Sequence, residues 1–81
     1  MDNNRIIEKI NTVLADEFEV DVDVISPDAP LMETLDMDSL DLVDVVVLVE
    51  QNFGVTLRGE DFVGMSTFQN FYDLIFRKMN E

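Results

Sequence analysis

The stretch that decides the fold is Ser39-Leu-Asp-Leu-Val-Asp-Val-Val-Val-Leu-Val-Glu-Gln-Asn-Phe53, which is rich in valine. β-Branched side chains favour a strand, but a strand of this length would be unusual. The segment follows Asp38, a good N-cap, and has Asp41 in its first turn, where the helix dipole favours an anion. Gly54 follows as the expected C-cap. We therefore predict a helix over residues 39–53.

Wound as a helix, this segment has three faces. A core stripe consists of Leu42, Val45, Val46, Val49 and Phe53. A mostly polar face consists of Asp41, Asp44, Leu48 and Gln51. The third face has three apolar members beside a carboxylate, namely Leu40, Val43, Val47 and Glu50. A small domain cannot easily bury a second apolar face, so we expect the third face to be exposed and to bind protein.

Two further long helices are predicted, one on either side of this segment. Residues 4–18 carry apolar side chains at three- and four-residue spacing, and Asp2 or Asn3 can cap their start. The last helix follows Ser66, which forms a capping-box pattern with Gln69. Its core side is predicted to carry Phe68, Phe71 or Tyr72, Ile75 and Met79.

The remaining segments predict a loop and a short helix. Residues 19–37 contain two prolines that interrupt any helix. Valines alternate with acidic residues from Glu19 to Val24, but a lone strand would have no partner, so we expect an extended loop with apolar anchors. Leu31 and Leu35 are expected to fill the core. A short helix is predicted at residues 59–63.

Composition indicates one acidic domain, residues 1–81. The hydrophobic fraction of 47% is sufficient for a packed core. The net charge of -13, with no lysine or arginine from Ile10 to Leu57, attracts basic proteins and repels nucleic acid. The N-terminus lacks a basic start followed by an apolar run, and the longest apolar run, Val45–Val49, is too short to cross a membrane. We expect a cytoplasmic protein that does not insert into membranes.

Several chemistries are absent from the sequence. Without histidine or cysteine, a serine would lack its usual base, so we predict no catalytic residue and no enzyme activity. A calcium loop counted from Asp36 would have Leu40, Asp41 and Val47 at positions that need a ligand, a glycine and a glutamate. We therefore predict no metal site.

The candidate site is Asp38-Ser39-Leu40 at the start of the valine-rich helix. Ser39 is predicted at the first helical position, exposed to solvent. A phosphate ester there would face free backbone N–H groups and the positive end of the helix dipole. A tripeptide of this kind is usually an ordinary helix start, so these residues alone leave both interpretations open.

The context of the motif closely resembles acyl carrier proteins. The resemblance lies in Leu35-Asp-Met-Asp-Ser-Leu-Asp41, then Leu42-Val-Asp44, then Glu50-Gln-Asn-Phe-Gly54, and it extends over nearly the whole chain. It implies an all-α four-helix bundle with three major helices and one short helix. It also implies 4′-phosphopantetheine, moved from coenzyme A by a phosphopantetheinyl transferase and held covalently on Ser39 beside Asp38. Acyl groups would be carried as thioesters on this arm.

The resemblance also implies the partners. It matches the family's recognition helix to Leu40, Asp41, Val43, Asp44, Val47 and Glu50. Acyl-transferring and ketosynthase-type enzymes of fatty-acid or polyketide-type biosynthesis would dock there through basic surfaces. We expect a free-standing monomer.

Three departures from the family pattern leave the cargo and the pathway open. Asp36 replaces the usual glycine and adds charge near the transferase docking site, and Arg58 replaces a common proline. A region that is usually more aliphatic in the family is aromatic here, and we expect it to narrow the space that shelters an acyl chain. Its aromatic residues are Phe62, Phe68, Phe71 and Tyr72. The alternatives are an aminoacyl carrier, against which Asp38 argues, a D-alanyl carrier, an unmodified acidic adaptor, or a structural domain stabilised by cations.

Overall fold

The computed structural model describes residues 3–80 of the chain. Its four α-helices are α1 (Asn3–Phe18), α2 (Leu31–Thr34), α3 (Asp41–Phe53) and α4 (Phe68–Met79). Two short 3₁₀ helices lie between them, at Val22–Val24 and Gly59–Phe62. Residues 3–80 contain no β-strand. The prediction of an all-α fold with three major helices is confirmed.

Helix α1 begins at Asn3, so this residue lies inside the helix, and the alternative cap Asp2 lies outside the described residues. The helix buries Ile6, Ile10, Leu14 and Ala15. It ends at Phe18, and the next residue, Glu19, has a left-handed φ of 56°. The amide of Val20 donates to the Ala15 carbonyl at 3.0 Å. This is a Schellman motif, a common helix stop that usually employs glycine.

The segment from 19 to 37 is more ordered than the predicted loop. It contains the first 3₁₀ helix and α2. Val22 and Val24 belong to the 3₁₀ helix and are half exposed, so they do not anchor the segment. Ile25 is the buried residue of this stretch instead. Leu31 and Leu35 are buried as predicted.

Backbone hydrogen bonds join this connection to the start of α4. The amides of Leu31, Phe68 and Gln69 donate to carbonyls across the two segments, at 2.9, 3.1 and 3.0 Å. The acceptors are the carbonyls of Ser66, Ala29 and Pro27, respectively. The loop thus satisfies two of the amides that an α-helix leaves without internal partners at its N-terminus.

The predicted cap of α4 is wrong by one residue. Thr67, rather than Ser66, has the extended backbone of an N-cap, and its hydroxyl accepts from the Asn70 amide at 3.3 Å. The Asn70 side chain accepts from the Thr67 amide in return, at 3.1 Å, so Asn70 takes the place expected for Gln69. The Ser66 carbonyl is held by Leu31, which keeps Ser66 in the connection before the helix.

Helix α4 provides the centre of the core. It buries both Phe71 and Tyr72, which the sequence left as alternatives, together with Phe68, Leu74 and Ile75. The rings of Phe68 and Tyr72 lie 6.5 Å apart. The Tyr72 hydroxyl donates to the Asn11 side chain and so links α4 to α1. Burial of this hydroxyl raises the pKa of Tyr72, and the hydrogen bond to Asn11 opposes that rise.

The predicted short helix at 59–63 is the 3₁₀ helix Gly59–Phe62. Asp61 fastens it to the end of α4 through ion pairs with Arg77 at 3.7 Å and Lys78 at 3.4 Å. The Arg58 amide donates to the same carboxylate at 2.8 Å. That hydrogen bond, followed by the interactions with Lys78 and Arg77, lowers the pKa of Asp61 against the opposing effect of burial.

Candidate functional site

The start of α3 is organised by two aspartates. Asp38 accepts hydrogen bonds through Oδ1 from the amides of Leu40 at 3.0 Å and Asp41 at 3.2 Å. Asp41 returns the interaction by accepting from the Asp38 amide through Oδ2, at 3.0 Å. This reciprocal pattern resembles a capping box made of carboxylates. Asp38 therefore caps the turn that leads into α3, whereas the N-cap position of the regular helix is Leu40.

The regular part of α3 begins two residues later than predicted, at Asp41. Leu40 already has helical backbone angles, with φ −72° and ψ −32°. The turn before it is tighter, because the Asp41 amide also donates to the Asp38 carbonyl, three residues back. Gly54 ends the helix in the left-handed region, with φ 70°, and donates to the Glu50 carbonyl as predicted for a C-cap.

Ser39 is exposed directly after the capping aspartate. The expectation that a phosphate ester on Ser39 would face free backbone N–H groups is only partly met, because the amides of Leu40 and Asp41 donate to Asp38. Within residues 3–80, the Ser39 amide has no hydrogen-bond acceptor. The Ser39 amide is therefore available as a donor to a phosphate ester on its side chain, and the carboxylate of Asp38 already neutralises part of the helix dipole.

The segment before Ser39 holds this serine at a fixed place on the surface. Helix α2 ends in a second Schellman motif, in which Asp36 has a left-handed φ of 50°. The Asp36 amide donates to the Glu33 carbonyl at 3.3 Å, and the Met37 amide donates to the Met32 carbonyl at 3.0 Å. Met37 is buried, two residues before the exposed serine. Met37 belongs to no periodic apolar pattern, so the sequence alone does not predict this anchor.

The apolar face predicted for α3 is exposed. The exposed fractions are 79% for Leu40, 63% for Val43 and 47% for Val47. Asp44 and Glu50 are also exposed, whereas Asp41 is half buried. The opposite side of the helix buries Val45 and Val49 completely, and partly buries Leu42, Val46 and Phe53. An apolar strip lined by carboxylates is typical of a protein-binding surface.

Val63, like Val22 and Val24, is a large apolar residue whose exposure the sequence does not predict. Val63 follows the 3₁₀ helix Gly59–Phe62 and is 82% exposed. Its neighbours Phe62 and Met65 pack against the core. An isolated valine in an irregular segment has no periodicity, so the sequence contains no signal that distinguishes its exposed position from theirs.

Helix α1 supports the far end of α3. Lys9 donates to the Asn52 carbonyl at 2.9 Å, and its ammonium lies 5.1 Å from the centre of the Phe53 ring. A cation at this position is stabilised by the negative end of the helix dipole and by the face of the Phe53 ring. The two ends of α3 are therefore held by opposite charges, carboxylates beside Ser39 and an ammonium beside Phe53.

Comparison with known proteins identifies the family of the chain. The family model described as "Phosphopantetheine attachment site" matches residues 8–75. The chain is 35% identical over 80 residues to an acyl carrier protein of Petrotoga mobilis, covering 99% of this chain and 94% of the relative. The chain belongs to the acyl carrier protein family. It is thus a phosphopantetheine-bearing carrier rather than a catalyst.

Further relatives of the carrier include members of two kinds. An acyl carrier protein of Thermosynechococcus vestitus is 34% identical over 79 residues, which is 98% of each chain. A protein of Streptomyces avermitilis named "Polyketide-8 synthase acyl carrier protein 2" is 31% identical over 74 residues, or 91% of this chain and 85% of the relative. Membership implies that a phosphopantetheinyl transferase and biosynthetic enzymes act on the carrier. Among residues 3–80, no helix is long and apolar enough to span a bilayer.

Proposed function

We propose that the carrier is a single domain, residues 1–81, that bears its phosphopantetheine on Ser39. The observation that supports this most strongly is the exposed serine between the capping aspartate and the first turn of α3. The arm extends from a rigid point, because Asp38 and Asp41 fix the backbone on both sides of Ser39. The arm is free to move, whereas its attachment point is held still.

Modification joins the Ser39 oxygen to the phosphorus of the arm and breaks the bond between that phosphorus and the rest of coenzyme A. The serine proton passes to a general base in the complex with the transferase, and the rest of coenzyme A leaves. The thiol at the end of the arm then provides the nucleophile that the cysteine-free chain lacks. Acyl groups bound to this thiol are presented to enzymes of fatty-acid or polyketide-type synthesis.

We further propose that partners dock on the exposed face of α3, formed by Leu40, Asp41, Val43, Asp44, Val47 and Glu50. Basic partner surfaces fit a carrier with a net charge of -13, in which residues 10–57 contain no cation. Such docking is fast, weak and sensitive to salt. Asp41 contributes least, because its Oδ2 is already engaged by the Asp38 amide. The proposed site of action is the cytoplasm, where the carrier acts as a monomer.

The test of the attachment site is an intact-mass measurement after incubation with coenzyme A and a broad-specificity phosphopantetheinyl transferase. Wild type is compared with Ser39→Ala and with Ser26→Ala, which removes another exposed serine. We expect one phosphopantetheine on wild type and Ser26→Ala and none on Ser39→Ala. Modification of Ser39→Ala would place the arm elsewhere. No gain in wild type with an active transferase would favour an unmodified adaptor.

A further inference from the structure

The residue three positions before Ser39 is held in a conformation that aspartate adopts at a cost. Asp36 has a left-handed φ of 50°, which favours glycine because a side chain crowds the backbone there. The two Schellman hydrogen bonds of the Asp36 and Met37 amides maintain this conformation. Aspartate adopts left-handed angles more readily than most residues other than glycine, so the backbone tolerates it here but assigns no function to its carboxylate.

The carboxylate of Asp36 differs from the other two beside Ser39. Those of Asp38 and Asp41 accept hydrogen bonds from backbone amides and complete the cap of α3. Across the described part of the chain, no hydrogen bond or ion pair engages the Asp36 carboxylate, and the residue is exposed. It is therefore the aspartate in this segment whose charge is fully available to another molecule.

The distance to the serine is short. Three residues of chain span at most about 11 Å, so the Asp36 and Ser39 backbones lie no farther apart than this. That separation is comparable to the distance of about 8 Å over which salt screens charges under physiological conditions. An enzyme that binds Ser39 in its active site must therefore also cover or closely approach Asp36.

We propose that Asp36 determines which phosphopantetheinyl transferases modify this carrier, by pairing with a cationic side chain of the transferase. The inference rests on Ser39 as the attachment site. Asp36 positions the enzyme and takes no part in the chemistry. A transferase with a lysine or arginine at that point gains affinity, and one with an acidic residue there is rejected.

A matched control exists in the same molecule. Glu19 ends α1 in the same motif, with a left-handed φ of 56°, and it is exposed. It lies far along the chain from Ser39. The variants Asp36→Asn and Glu19→Gln each remove one negative charge at the stop of a helix and keep the shape of the side chain. Asparagine tolerates left-handed angles well, so Asp36→Asn should remain folded.

The experiment measures KM and kcat for modification by a transferase that loads wild type, at low and high salt, with coenzyme A as donor. We expect Asp36→Asn to raise KM for the carrier about three- to tenfold at low salt, with kcat unchanged. High salt should abolish the difference. Glu19→Gln should match wild type at both salt concentrations.

Two results would overturn the inference. An unchanged KM for Asp36→Asn would show that no cationic side chain of the transferase pairs with this carboxylate. An equal rise in Glu19→Gln would show that only the overall charge matters. Absence of loading in wild type would instead contradict the attachment site itself, so the two failures are distinguishable. Circular dichroism of both variants confirms that the comparison is made between folded proteins.

Discussion

The N-termini of α3 and α4 have the same capping pattern but different roles. Each has a capping box, made of Asp38 and Asp41 in α3 and of Thr67 and Asn70 in α4. The residue after the cap is the exposed Ser39 in α3, whereas in α4 it is Phe68, with no exposed surface. Capping therefore fixes where a helix begins, and the residue that follows decides whether that start serves chemistry or packing.

The bodies of the two helices differ in the same way. Helix α4 buries five side chains, whereas α3 buries only Val45 and Val49. Three apolar side chains on the other side of α3 lie in solvent, namely Leu40, Val43 and Val47. Burial of apolar surface stabilises the fold, so α4 carries more of the stability, and α3 retains apolar surface that a partner can cover.

The largest expected effect comes from the residues after the two caps. Phe68→Ala should lower the free energy of unfolding by about 3–5 kcal/mol, because it removes a ring from the centre of the core. Ser39→Ala should change it by less than about 0.5 kcal/mol, since the side chain is exposed. Urea denaturation followed by circular dichroism measures both. Equal losses in the two variants would contradict the contrast between the helix starts.

The two faces of α3 provide the next comparison. Val45→Ala should lower the free energy of unfolding by about 2 kcal/mol, because Val45 is completely buried. Val43→Ala, two residues earlier, should leave stability nearly unchanged and weaken binding to a partner enzyme about two- to fivefold. Denaturation and a binding titration with a loading enzyme separate the two effects. A Val43→Ala carrier that binds normally would remove Val43 from the docking face.

The caps themselves should have smaller and similar effects on stability. Thr67→Ala and Asp38→Ala should each lower the free energy of unfolding by about 1 kcal/mol, since each leaves helix amides without an acceptor. Asp38→Asn should retain most of the stability, because asparagine also caps helices. Only the change at Asp38 should also slow the loading of Ser39. Slower loading of Thr67→Ala at equal stability would argue against this division of roles.

The smallest expected effect concerns pH and the end of α4. The lowered pKa of Asp61 means that its ionised form is favoured in the folded state. Its contribution to stability is therefore present above the ordinary aspartate pKa of about 3.9 and is lost as pH falls through the lower, folded value. Asp61→Asn keeps an acceptor for the Arg58 amide and removes the charge.

The corresponding measurement is thermal unfolding of wild type and Asp61→Asn at decreasing pH. Wild type should be slightly more stable near neutral pH, and the gap should close in acid as Asp61 becomes protonated. The effect should be small, because Arg77 is mostly exposed and solvent weakens its ion pair. A gap that stays constant down to strong acid would show that the ion pairs with Lys78 and Arg77 do not stabilise the fold.

Errors of the sequence analysis fall where long-range contacts compete with local patterns. Ser66 and Gln69 match a capping box as well as Thr67 and Asn70 do, and the hydrogen bond between Leu31 and Ser66 decides between them. Helix α2 is only four residues long and was not predicted, because so short a helix has no periodicity to detect. Asp38, by contrast, was predicted as a cap and does cap the turn that leads into α3, because its hydrogen bonds involve residues within three positions.

The sequence by itself determined the three long helices, the exposed apolar face of α3 and the serine motif with its family resemblance. These features depend on spacing along one segment, and helical geometry converts spacing directly into faces and caps. Only the tertiary structure decided that Thr67 rather than Ser66 caps α4, and that Asp36 keeps an unengaged carboxylate. Such outcomes depend on which donors and acceptors meet in space, and a linear pattern does not contain that information.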